Sequence, residues 1–304
     1  MSFTAIRMAV GRVVLVAGVL ILLFIPYLLW GTGLQTARSQ DQLRQEFAAA
    51  QRQAGVTKAP RPVAPAHPSK PIPPTVAPNI PAPAIGAPVG TIDIPAISLE
   101  MVVVSGTGTA QLEQGPGHYP GTPLPGEAGN VAIAGHRTTY LHPFYNLNEL
   151  VPGDDILLTT VQGAFLYQMT SSQVVVPTDV AVVGATLTPQ LTLTTCNPRY
   201  SASTRLVVHA ALVASSLTHP KLPVVPKKAD PVVHHNAPSA PAHNWFAAIF
   251  WGVVVAAVIT AVWVGARRSR GSRRATVVVF GLLGWLVLVF FFFQELAPLL
   301  PASF

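Results

Sequence analysis

Cysteine is almost absent from this chain: Cys196 is the only one in 304 residues. A lone thiol excludes an internal disulfide. On the oxidising side of a membrane it is either a small buried hydrophobe or a working nucleophile. Charge is scarce too, at 10% of residues, while half of the chain is apolar. Between residues 89 and 215 there is no lysine at all, and the only cations are Arg137, Arg199 and Arg205 against eight carboxylates. The basic balance of the whole chain, +7, therefore does not describe its middle.

What the chain has instead of charge is three long apolar runs. Residues 13–30, 245–266 and 275–293 carry no charged side chain for 18, 22 and 19 positions. Each is near the ~20 residues that cross a bilayer as a helix. Trp30, Trp245 and Trp251 sit at or near run ends, where interfacial aromatics collect. Gly31-Thr-Gly33 is a poor cleavage site, so the first run is expected to be a retained anchor rather than a signal peptide. Arg7 and Arg12 precede it, and five arginines lie in 267–274 between the other two. The positive-inside rule places both basic segments in the cytoplasm and residues 31–244 outside the plasma membrane. A nucleic-acid role for a basic run between two spans is not expected.

The predicted organisation follows: a cytoplasmic end and anchor (1–31), an external helix and Pro-rich linker (32–88), a central body (89–215), a second Pro-rich linker (216–244), two spans (245–266 and 275–293) around an Arg-rich loop (267–274), and a tail (294–304). Residues 34–54 have helix-forming composition, whereas the prolines from Ala59 to Val89 predict extended polyproline II. Thirty such residues reach at most ~90 Å, a spacer between body and bilayer. His219, His234-His235 and His243 lie in proline-rich surroundings that fix no metal-binding geometry.

The central body reads as strands and turns. Short Val/Ile/Leu/Thr-rich segments are predicted as strands at 91–95, 98–104, 130–134, 155–161, 164–170, 173–176, 191–195 and 205–213. Val161-Gln-Gly-Ala164 predicts a tight hairpin, and only 143–150 looks helical. Eight short strands with one or two short helices predict an all-β barrel or sandwich, joined to one N-terminal and two C-terminal membrane helices. Cys196 closes one apolar strand and His136 follows another, 131–134 and Gly135. A thiol attacks as thiolate and needs a base or a positive environment. The body's three cations stand at +1 from His136 and at +3 and +9 from Cys196, where a guanidinium could steady a thiolate or an oxyanion. His118, His142 and His209 read as structural or surface residues, and Arg199 as a surface loop residue.

Leu193-Thr-Thr-Cys196 with Arg205 downstream, and Gly135-His136-Arg-Thr-Thr-Tyr140 upstream, resemble the motifs of sortases, the cysteine transpeptidases of Gram-positive bacteria. The wording is most similar to class E of actinobacteria, and the resemblance covers about 89–215. It implies an eight-stranded sortase-type β-barrel with Cys196 as nucleophile, His136 as general acid/base and Arg205 as oxyanion or substrate-orienting residue. It also implies substrate contacts from Thr195, Tyr140 and Tyr119, and no cofactor or metal. Implied partners are secreted proteins with C-terminal LAxTG- or LPxTG-type sorting signals and an amine of a peptidoglycan precursor. Alternatives are a pilin-polymerising sortase, although 59–90 shows no lid motif, or a non-catalytic tethered barrel acting as a binding module. The spans at both ends depart from the family's usual single anchor.

Overall fold

The computed structural model describes residues 3–56, 62, 74–218, 245–270 and 272–297. The histidines at 219, 234, 235 and 243 lie outside them. The chain divides into two units, Met1–Thr32 with Pro241–Ala302, and Gly33–Ala240 with the last two residues.

The first unit is helical. Helix α1 runs Phe3–Pro26, and a π-helical turn, Tyr27–Gly31, follows the proline, which cannot donate within an α-helix. Helices α4 (Trp245–Arg268) and α5 (Ser272–Leu296) form a hairpin around the arginine-rich loop. Both are long and apolar enough to cross a membrane. Trp285 Nε1 donates to the Val255 carbonyl at 3.1 Å, and Tyr27 packs edge-on against Phe290 of α5. These are the contacts expected where apolar helices leave few polar groups to satisfy.

The second unit is built on a closed eight-stranded barrel: β1 (Pro88–Ile94), β2 (Leu99–Ser105), β3 (Gly117–His118), β4 (Asn130–Ala134), β5 (Asp155–Thr160), β6 (Gly163–Val175), β7 (Gln190–Asn197) and β8 (Thr204–Leu217), in the order β1-β2-β3-β4-β7-β8-β6-β5. Period-2 alternation sends Ile92, Ile94, Ile133, Leu191, Leu193 and Val208 into one core. The number of strands matches the sequence prediction, but the set differs. The segments expected at 164–170 and 173–176 form one long β6, bulged near Met169/Ser171, because β8 pairs with it along its whole length. One-turn helix α3 (Thr109–Leu112) leads to the eighth strand, β3, two residues long and too short to leave a periodic signal. The expected helix at 143–150 shrinks to a 3₁₀ turn at Leu147–Glu149, with Leu147 buried.

Helix α2 (Thr32–Gln53) covers the range expected of a helix but is not solvated all round. β2 pairs with β3 only at Val104 and Ser105, so its preceding backbone needs other partners on that side. Gln40, 1% exposed, supplies them: its Oε1 accepts from Val102 N at 2.7 Å and its Nε2 donates to Val102 O at 3.0 Å. Its Nε2 also donates to Gln114 O at 2.8 Å, and a Cβ on Gly115, at φ +153°, would lie 2.3 Å from that nitrogen. Leu43 packs on Val102 and Val104, and Thr36 Oγ1 donates to Glu113 O at 2.7 Å.

The proline-rich linker also departs from expectation. Its described part, from residue 74, lies along the barrel: Ala77 N donates to Gly126 O at 2.8 Å, Ile80 N to Glu127 Oε1 at 3.0 Å, and Ala77 joins the core. That part is anchored wall rather than free spacer.

Candidate active site

Strands β4 and β7 are parallel neighbours, with Ala134 paired to Thr194. The ladder ends at that pair; His136 follows Ala134 by two residues, as Cys196 follows Thr194, so both stand at the same end of the barrel. Gly135 makes the exit possible. A Cβ there would lie 2.6 Å from Phe144 Cδ2, so only glycine lets the chain turn over that ring. Phe144, fully buried, returns a hydrogen bond from its N to His136 O at 3.1 Å.

Cys196 is free and half-buried, and it pairs across the ladder with Arg205 of β8. Alternation along β7 puts Thr192, Thr194 and Cys196 on the face opposite core residues Leu191 and Leu193. Tyr119 OH lies 3.1 Å from Thr194 Oγ1, on the strand that carries Cys196 and two residues before it.

His136 is held neutral. Burial pushes its pKa from 6.5 down to about 4, and its Nε2, shut off from solvent, makes no hydrogen bond. Its ring packs on Tyr140 with centroids 5.0 Å apart. A neutral imidazole beside a thiol can accept its proton.

The neighbouring guanidiniums divide the work differently from expectation. Arg137, 5% exposed, donates from Nη1 to Cys196 O (3.1 Å) and Asn197 Oδ1 (2.7 Å), and from Nη2 to Asn148 Oδ1 (2.8 Å). Burial first, then repulsion from Arg199, push its pKa down, and Cys196 and Tyr145 oppose them. It clamps the cysteine's backbone to the 143–150 turn. Arg205 braces its own loop, donating to Ala202 O at 3.0 Å and Thr204 O at 3.1 Å. Arg199, read from sequence as a loose surface residue, stacks 4.0 Å from the Tyr145 ring centroid and bonds Asn146 Oδ1 at 3.2 Å.

Two residues expected at the substrate make hydrogen bonds within the fold. Thr195 is buried and its hydroxyl donates to Gly135 O at 2.8 Å, tying β7 to the turn before His136. Tyr140 directs its hydroxyl to Glu113 Oε1 at 3.0 Å. Sequence reasoning passed over Glu113 and Asn148; the clue to Asn148 was a cation next to His136 that needed a polar partner.

His118 is 2% exposed and donates from Nε2 to Pro123 O at 2.8 Å, which fixes its tautomer, since a carbonyl only accepts. Burial lowers its pKa from 6.5 to about 4, partly opposed by that bond. Above pH 6.5 neither the folded nor the unfolded state binds the proton. Between pH 6.5 and 4 only the unfolded state does, so stability falls as pH falls. The expected loss from His118 alone is about 3 kcal/mol by pH 4. Denaturant titrations at pH 7.5, 6 and 4.5 check this; an unchanged midpoint contradicts it.

A family model described as the Sortase domain matches residues 92–213. Sortase SrtE1 of Streptomyces coelicolor is 28% identical over 225 residues, 67% of this chain and 56% of that protein. The putative sortase YwpE of Bacillus subtilis is 31% identical over 88 residues, 29% of this chain and 86% of that protein. The structure of sortase E from Streptomyces avermitilis is similar at 37% identity and TM-score 0.40, over 44% of this chain and 93% of that one. The chain thus spans little more than half the length of SrtE1.

Proposed function

The chain belongs to the sortase family, and from that premise we propose that it is a membrane-anchored cysteine transpeptidase acting on sorting signals outside the cell. The observation that supports this reading is the parallel β4/β7 register, whose last pair, Ala134 and Thr194, sets a neutral His136 and Cys196 at one end of the barrel. His136 takes the thiol proton, and the sulfur attacks the Thr–Gly carbonyl of an LAxTG- or LPxTG-type signal. The C–N bond breaks as the proton passes to the leaving glycine amine. An amine of a peptidoglycan precursor then attacks the thioester carbonyl, forming the new amide and releasing the thiol. Arg205, across the ladder from Cys196, serves the oxyanion or the substrate carbonyl when it swings from its loop carbonyls. Tyr119, bonded to Thr194 on the cysteine's strand, bears on the choice between alanine and proline in the signal. The α4/α5 hairpin anchors the chain, with its arginine loop in the cytoplasm and the barrel on the outer face.

The full chain in detergent is tested with fluorogenic LAxTG and LPxTG peptides. Wild type is expected to cleave at least one of them, and Cys196→Ala neither. Wild-type cleavage no faster than Cys196→Ala on both peptides removes the enzyme reading.

A further inference from the structure

Directly after the GHRTT segment the chain does something costly. Tyr140, Leu141 and His142, none of them glycine, have φ of 54°, 60° and 39°. Three successive left-handed residues with side chains persist only when the surroundings over-determine them, and such strain gathers at functional sites.

The surroundings can be named. Tyr140 OH donates to Glu113 Oε1 at 3.0 Å. A Cβ on Gly33 of α2 would lie 3.1 Å from Leu141 Cδ2, so that helix passes close to the middle residue, itself 40% exposed. His142 N donates to Thr139 O at 2.8 Å, and its ring meets Tyr145 at 5.3 Å. Glu113 is itself placed by α2: Thr36 Oγ1 bonds its carbonyl at 2.7 Å, and Gln40 Nε2 bonds the next carbonyl at 2.8 Å. On the other side, the Tyr140 ring packs on His136 at 5.0 Å with 35° between planes. With His136 Nε2 unbonded, that packing bears directly on how the imidazole is aimed.

We propose that Glu113 is a positioning residue for His136: its carboxylate, placed by α2, moors Tyr140 and so holds the strained segment that aims the imidazole. The proposal rests on the transpeptidase reading for its consequence in rate, but its geometry is independent of any substrate. Tyr140 then belongs to the mount of the histidine. Helix α2 becomes part of the machinery through Thr36 and Gln40, although it contributes no atom to the reaction.

The test uses the full chain in detergent with ring-¹³C-labelled histidine, the His136 signal being identified by its loss in His136→Gln. Tyr140→Phe removes one oxygen and keeps the ring, so it serves as the mild variant beside Glu113→Ala. Both are expected to move the His136 signal in the same direction, while Glu113→Gln, which keeps an acceptor for the hydroxyl, restores the wild-type position. On peptide, both lower kcat about tenfold with KM unchanged, the signature of a misaimed group rather than lost binding. The double variant should be no worse than either single one, since both break one link. The proposal is overturned if His136 resonates at the wild-type position in both variants, or if their kinetic effects multiply. If wild type turns over no peptide, the functional reading fails while the resonance still decides the positioning role.

Discussion

Replacing His136 by glutamine is expected to lower the turnover of a sorting-signal peptide by about 10³-fold while the barrel stays folded. The residue has two duties in the proposed cycle, taking the thiol proton and delivering it to the leaving amine, and among the described residues no second histidine occupies the end of β4. Its pKa, lowered to about 4 by burial, leaves the imidazole neutral and free to accept a proton throughout the neutral range, as a weaker base than a solvated histidine. The acid limb of kcat/KM in wild type should therefore fall near pH 4 instead of near 6.5, and should vanish in the variant. Turnover with a circular-dichroism melt checks both parts. A rate within tenfold of wild type would mean that another group carries the proton.

The largest effect on stability is expected at Phe144. Its side chain is fully buried in the barrel core, its N–H is bonded to His136 O, and its ring fills the space left by the missing Cβ of Gly135. Phe144→Ala should cost about 3–5 kcal/mol, the usual toll for deleting a buried aromatic and leaving a cavity. Because the cavity would open beneath the turn that carries His136, activity should fall even in conditions where the variant remains folded. Urea titration with parallel kinetics measures the two effects; a loss below about 1 kcal/mol would show that the site collapses around the smaller side chain.

The legible parts of this molecule were those with a period or an imbalance. β4 appears in the sequence with the bounds it has in the structure, because Asn130–Ala134 is apolar and flanked by turn residues. The end of β7 was marked by the lone thiol, and the cations around it stood out in a lysine-free body. What was hidden depended on partners remote in sequence. Ser171-Ser172 looked like a break between two strands, yet β8 pairs through it, so tertiary pairing overrode local polarity. Arg137 was visible as a charge, but nothing local shows that it reaches Cys196 O and Asn148. Thr36 and Gln40 resemble any polar residues on a solvated helix; only the unpaired backbone of β2, about sixty residues on, explains Gln40, and only the Glu113 carbonyl explains Thr36.

That last pairing also sets where the barrel begins as a physical object. An unpaired strand edge is a template for another chain, and proteins block it with charge, bulges or cover. Here a single side-chain amide plays the part of a missing strand at Val102, and Leu43 keeps water from Val102 and Val104. A catalytic fragment cut at the start of β1 would bare that edge and offer it to its own copies. One cut ahead of Gly33 would carry its cover with it. The solubility of the barrel is thus encoded outside the barrel, in a helix that a strand-by-strand boundary would discard.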